Sequence, residues 1–156
     1  MIEAGDGIAI SGDGTIGSPL VIRKSGGDIV LIVQQPSTNL NTGDNQLSFT
    51  VPPSLDGAYI SGVNATVFNP SSSGDIEVML RRVRHIGGGS TADVLTSPAV
   101  IDATYHSTPE GSGSGGVVNV TYRELQQYDT LIVDVDSAGS GALGLHVVIS
   151  YTIPEH

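Results

Sequence analysis

Apolar residues recur at every second position through much of the chain. Leu47, Phe49 and Val51 alternate with Gln46, Ser48 and Thr50; Ile76, Val78 and Leu80 share one side of a segment running to about residue 86. Leu131, Val133 and Val135 alternate in the same way with Ile132, Asp134 and Asp136. A period of two sends successive side chains to opposite sides of a strand, so each stretch reads as a strand with one buried face. Ile29-Val30-Leu31-Ile32-Val33 is instead an unbroken apolar run, as expected of a strand covered on both faces, and Pro36 is expected to close it. Residues 59–68, 94–101 and 117–122 are further strand candidates. Residues 130–136 and 143–153, joined by Ser137-Ala138-Gly139-Ser140-Gly141, read as a closing hairpin. Residues 123–128 have room for one helical turn, with nothing to cap a longer helix.

Turn formers punctuate these segments: Pro52-Pro53, Asn69-Pro70 with the following Ser71-Ser72-Ser73-Gly74, Gly87-Gly88-Gly89 and the Gly-Ser stretch at 110–116. Eight or so short strands without an amphipathic helix predict an all-β fold, an antiparallel β-sandwich of the jelly-roll kind. At the start of the chain, Gly5-Asp6-Gly7 and Gly12-Asp13-Gly14 bracket Ile8-Ala9-Ile10, and Thr15-Ile16-Gly17-Ser18-Pro19-Leu20-Val21-Ile22 follows. Gly and Asp suit tight turns and the β-branched residues suit strands, so this segment predicts a β-hairpin. Two strands this short do not hold together alone in water. The hairpin is therefore expected to pack on a neighbouring chain. Arg23-Lys24-Ser25-Gly26-Gly27 reads as a hinge between an arm, residues 1–24, and a sandwich body, residues 28–156.

The order Gly-x-Gly-Ile-x-Ile-Ser-Gly-x-Gly-Thr, then Pro-Leu-Val-Ile, resembles a segment common in structural proteins of tailed bacteriophages, in particular trimeric fibres and head decoration proteins. The likeness is close over residues 5–22. The rest is similar in style to the small β-sandwich domains of the same virion proteins, with 129–145 resembling their closing hairpin. The resemblance implies a non-enzymatic virion protein, made in the host cytoplasm and carried on the capsid surface, a homotrimer that cements the head. Its implied partners are its own copies and the major capsid protein or another virion protein. The implied assembly and attachment residues are Gly5, Gly7, Ile8, Ile10, Gly12, Gly14, Pro19, Leu20, Val21 and Ile22. The alternative is a tail-fibre or receptor-binding module that recognises a host surface glycan. A chain that opens directly on the arm motif, without a long repetitive shaft, favours decoration.

Charge narrows the partners. Six Lys and Arg stand against sixteen Asp and Glu, a formal net charge of -10, which disfavours nucleic acid and anionic membranes. No apolar run approaches the ~20 residues a membrane-crossing helix needs, and the first residues lack the features of a signal peptide, so the chain reads as soluble. Without cysteine there is no disulfide, no thiolate nucleophile and no zinc site of the cysteine type. Arg82 and Arg84 fall on one strand face and Arg81 on the other, expected to be ion-paired or to lie in a subunit contact.

Candidate chemistry is sparse, and no enzyme activity or cofactor is expected. Residues 12–17 match GxGxxG, but the fingerprint needs a helix behind it and the sequence there is extended. Asp134 and Asp136, two positions apart, could serve as a glycosidase pair or half a calcium site. The plainer reading is a charged solvent face that blocks edge pairing. Asp6 and Asp13 could ligate calcium, though Asx turns explain them as well. His146 is expected to be a hydrogen-bonded structural histidine, and no two of His85, His106, His146 and His156 stand at metal-binding spacing. The sequons at Asn64 and Asn119 fall in predicted strands of a chain without a secretion signal. Tyr105, Tyr122 and Tyr128 are expected as core or interface anchors.

Overall fold

A computed structural model describes residues 8–11, 21–24 and 26–154, with side chains from residue 26 onward. The strands are β1 (Ile8–Ser11), β2 (Val21–Lys24), β3 (Gly26–Asn39), β4 (Gly43–Thr50), β5 (Tyr59–Thr66) and β6 (Ile76–Arg84). They continue with β7 (Ser90–Asp93), β8 (Leu95–Ser97), β9 (Ala99–Ile101), β10 (Val117–Val118), β11 (Thr130–Ala138) and β12 (Leu143–Thr152). The one helical element among the described residues is a 3-10 turn at Pro53–Leu55.

The larger sheet runs in the order β4-β11-β6-β7, with β9 also paired to β6, and the smaller in the order β3-β12-β5. Every pairing is antiparallel. Leu131, Val133, Val135, Val78 and Leu80 from one sheet and Ile60, Val63, Ala65, Val147 and Ile149 from the other are buried and belong to one core. The alternation read from the sequence places Val78, Leu80, Leu131, Val133 and Val135 correctly, and the all-β sandwich is what forms. Successive strands change sheets at β3 to β4, β4 to β5, β5 to β6 and β11 to β12, the interleaving of a jelly roll.

That last exchange corrects the closing hairpin. β11 and β12 do not pair; each is an interior strand of its own sheet. Gly139 and Gly141 take left-handed φ values of 59° and 76°, and the connection arches from one sheet to the other. Both strands then turn their apolar faces inward, toward each other.

β3 differs from expectation twice. It does not stop at Pro36, because the ladder with β12 skips from Leu145 opposite Gln34 to Leu143 opposite Asn39. Pro36 sits in the unpaired bulge, where its missing N–H leaves no ladder bond unmade. Nor is β3 covered on both faces. Leu31 and Val33 are buried, whereas Val30 and Ile32 are 60% and 49% exposed.

Smaller corrections follow from local hydrogen bonding. The 94–101 strand divides at Pro98, and only Val117–Val118 of 117–122 is a strand. Asn119 therefore lies in a loop, where its Oδ1 accepts the Thr121 amide at 3.1 Å. Residues 123–128 form no helical turn. Their backbone instead bonds to the link before β5: Leu125 N donates to Ala58 O, Gly57 N to Leu125 O and Tyr128 N to Val51 O, each at 2.8 Å.

Candidate functional site

The arm is the first candidate. β1 pairs antiparallel with β2, Ile8 opposite Lys24 and Ile10 opposite Ile22, so the expected hairpin forms over Ile8, Ile10, Val21 and Ile22. Neither strand joins a sheet of the sandwich. Gly5, Gly7, Gly12, Gly14, Pro19 and Leu20, with Asp6, Asp13 and the GxGxxG match, lie outside the described residues. The expected hinge is strand on both flanks. Arg23 and Lys24 end β2, while Gly26 and Gly27 begin β3 opposite Thr152 and Tyr151 of β12. Gly26 is needed there because a Cβ would press on the Tyr151 carbonyl.

The arm leaves the sandwich at the end where β6 and β11 meet the loop at 122–129. Arg82, on the face of β6 opposite to Arg81 as expected, is buried against the inner side and not at the surface, at 4% exposed. Its Nη1 donates to Tyr122 O at 3.0 Å and Glu124 O at 2.7 Å. Arg84 donates to Glu124 O at 3.0 Å and to the Asp129 carboxylate at 3.2 Å. Asp129, itself buried, also accepts the Gln126 amide at 3.0 Å. The Arg82 Nε lies 3.9 Å from that carboxylate and has no hydrogen bond. Burial, then the neighbouring Arg84 charge, lowers the Arg82 pKa, against opposing pulls from Asp129 and Glu124. The pair of arginines thus acts as a clamp on the loop.

Arg81 points to the opposite face and pairs with Asp134, its Nη2 donating at 2.8 Å. The Asn45 amide donates to the same carboxylate at 2.7 Å. Burial pushes the Asp134 carboxyl up, but the Arg81 hydrogen bond, the Asn45 amide and the Arg81 charge hold it below its ordinary value. Asp136 is raised, by burial and then by the charges of Asp134, Asp44 and Asp93. Asp134 is therefore a buried, ion-paired group on an interior strand, and not the solvent-facing guard of an edge. With its oxygens committed to Arg81 and Asn45, it is not free to act as half of a hydrolytic pair. Among the described residues no three His, Cys, Asp or Glu side chains gather as a metal-holding group.

His85 Nε2 meets Thr130 Oγ1 at 3.0 Å and His106 Nδ1 meets Val67 O at 3.3 Å. His146 is half-buried opposite Ile32 and Thr66, and alternation turns its side chain to the outer face, away from the buried Leu145 and Val147. Tyr105, Tyr122 and Tyr128 are exposed, so they anchor no core. Arg123 stacks on the half-buried Tyr59, 5.0 Å from the ring centre.

The outer face of the smaller sheet is the feature the sequence reading missed. Val30 stands opposite Val148 and Ile32 opposite His146, a row across β3 and β12 without Asp, Glu, Lys or Arg. Beside it a groove of about 180 Å³ lies between Pro36, Thr66, Gly144, His146 and Phe68, the last 66% exposed. The signal was present in residues 29–33: a run without polar alternation leaves two apolar residues facing outward when only one side is covered.

No family model matches the chain, and no curated protein matches it.

Proposed function

We propose that this chain is a non-enzymatic, homotrimeric structural protein of a tailed-phage virion that decorates the capsid and stabilises the head. The observation that carries the reading is that, among the described residues, β1 and β2 pair only with each other and join neither sheet of the sandwich. A hairpin of two four-residue strands gains its stability from what it packs on. Three copies about one axis supply such surfaces to one another, and three arms on one particle convert weak contacts into firm attachment. The resemblance of residues 5–22 to phage virion proteins points the same way.

Gold labelling of intact virions with an antibody against the chain tests the assignment, and signal over the head surface is the expected result. Absence from purified virions overturns it. Deleting residues 1–24 should leave the body folded, with its cooperative melting retained, while abolishing assembly on the particle. A truncated protein that still bound capsids at full affinity would remove the arm from the reading.

Exposure of Tyr105, Tyr122 and Tyr128 favours a second reading, a tail module that stacks host glycans on its rings. Labelling at the tail tip, together with a positive glycan array, supports that alternative over decoration.

A further inference from the structure

We propose that the outer face of the smaller sheet, centred on Val30, Ile32 and Val148, is the surface through which one copy of this chain packs on another. The inference rests on the homo-oligomer reading above and adds where the copies meet. Val30 and Ile32 are 60% and 49% exposed in the middle of a long strand and not at a loop tip. Val30 lies in register with Val148, and directly opposed side chains are neighbours ~5 Å apart, so the residues form one continuous patch. Single exposed apolar residues are ordinary; a contiguous row is the mark of an interaction surface.

Charge selects the occupant. The formal net charge is -10, so two copies repel wherever charged surfaces meet. The outer face of the larger sheet carries Arg81, Asp93 and Asp134. The carboxylate on the outer face of the smaller sheet is Asp28, at one end, where the Ser150 hydroxyl donates to it at 2.7 Å. A partner of opposite charge would be met by acidic side chains. A face without them is one that two copies of an acidic chain can bring together without repulsion, and the occupant is a second copy.

The sheet face, and not the strand edge, makes the contact. The Pro36 bulge interrupts the free edge of β3, and an interrupted edge is a poor template for strand addition. Three strands over some ten residues give a plane on the order of 450 Å², from strand spacing and rise. A standard interface takes about 800 Å² from each partner. The face therefore supplies roughly half of what is needed, and β1 and β2, which join neither sheet, are left to contribute the remainder.

The test is the mass in solution of the full chain and of its Val30→Asp, Ile32→Asp double variant, measured by light scattering, with Thr91→Asp on β7 of the larger sheet as control. The wild type and the control are expected at three times 16.0 kDa, and the double variant at 16.0 kDa with an unchanged β-sheet circular dichroism spectrum. If the aspartates perturb folding, Val30→Thr with Ile32→Thr keeps the β-branched shape and is expected to weaken association at least tenfold. A double variant that keeps the wild-type mass overturns the face and leaves the trimer standing. A single-copy wild type overturns both, and a wild-type dimer that the variant dissolves keeps the face and removes the trimer.

Discussion

Replacing Arg82 by Met tests the clamp on the 122–129 loop. The guanidinium is 4% exposed and donates to Tyr122 O at 3.0 Å and Glu124 O at 2.7 Å. Bonds from a charged donor contribute about 1.5–3 kcal/mol each, but both accepting residues are exposed and their carbonyls recover part of this from water. Met also removes the cost of burying a cation whose Nε has no partner, a cost that apolar replacements often recover. The balance is a net loss of about 2 kcal/mol, or about 4–8 °C in Tm for a domain of this size. Arg84→Met should cost about 1 kcal/mol or less, because that side chain is 20% exposed and its ion pair is partly screened. Asp129→Asn should be the worst of the three, at about 3 kcal/mol, since it leaves two neighbouring cations without their shared carboxylate. Thermal and urea unfolding at one fixed protein concentration give the ranking, because association shifts apparent stability. Amide exchange over 122–129 should quicken in Arg82→Met. An Arg84→Met variant less stable than Arg82→Met, or an Asp129→Asn variant indistinguishable from wild type, refutes the clamp.

Asp136→Asn should stabilise the fold at pH 7. The folded pKa of Asp136 is raised, so its charge opposes folding above that pKa; the penalty fades as pH falls through it and is gone below the unfolded value of about 3.9. The gain in Tm over wild type should be present at pH 7 and absent at pH 3; an equal gain at both refutes the penalty that burial and the neighbouring carboxylates place on the Asp136 charge. In the arch, Gly139→Ala should cost about 3 kcal/mol, because φ is +59° and a Cβ would stand 2.6 Å from Gly74 O. Gly141→Ala, with φ of +76° and nothing within 4 Å, should cost only the left-handed penalty of about 1 kcal/mol. Equal losses in urea unfolding would show that space around Gly139 does not matter.

Strand positions were legible because a period of two survives wherever exactly one face is buried. The inward rows Leu131, Val133, Val135 and Ile76, Val78, Leu80 are read directly from it, as is the split of Arg81 from Arg82 and Arg84. The partner of each strand was not legible. Two alternating runs joined by Gly139 and Gly141 look the same as a hairpin or as an arch. The choice is made by β4 and β6 claiming both edges of β11 while β3 and β5 claim those of β12. Asp134 looked like a solvent-facing residue for the same reason: its partner, Arg81, lies 53 positions away, on a strand whose adjacency was unknown. The apolar row at Val30 and Ile32 was hidden in a run that fits one-sided and two-sided burial equally well.

The two outer faces treat charge in opposite ways, and the difference bears on how the proposed assembly would form. The larger sheet solvates itself through Arg81 and its surrounding carboxylates, at the cost recorded in Asp136. The smaller sheet gives up that solvation, although Thr would satisfy a strand as well as Ile32 or Val30 does. Covering a face on the order of 450 Å² and an equal area of the copy that meets it, about half of it apolar because Asn64, Thr66, His146 and Ser150 share the face, returns on the order of 10 kcal/mol of gross apolar burial. Association costs about 4–15 kcal/mol in lost freedom, so this contact alone is marginal. The hairpin is marginal for its own reason, having two four-residue strands. Each therefore needs the other, and loss of either should dissolve the assembly. Deleting residues 1–24 and placing Asp at Val30 and Ile32 should each give a folded single copy, and combining them should produce no further change in mass or in Tm beyond that of the deletion. Intermediate oligomers in one single perturbation and monomers only in the combination would mean that the two surfaces act independently.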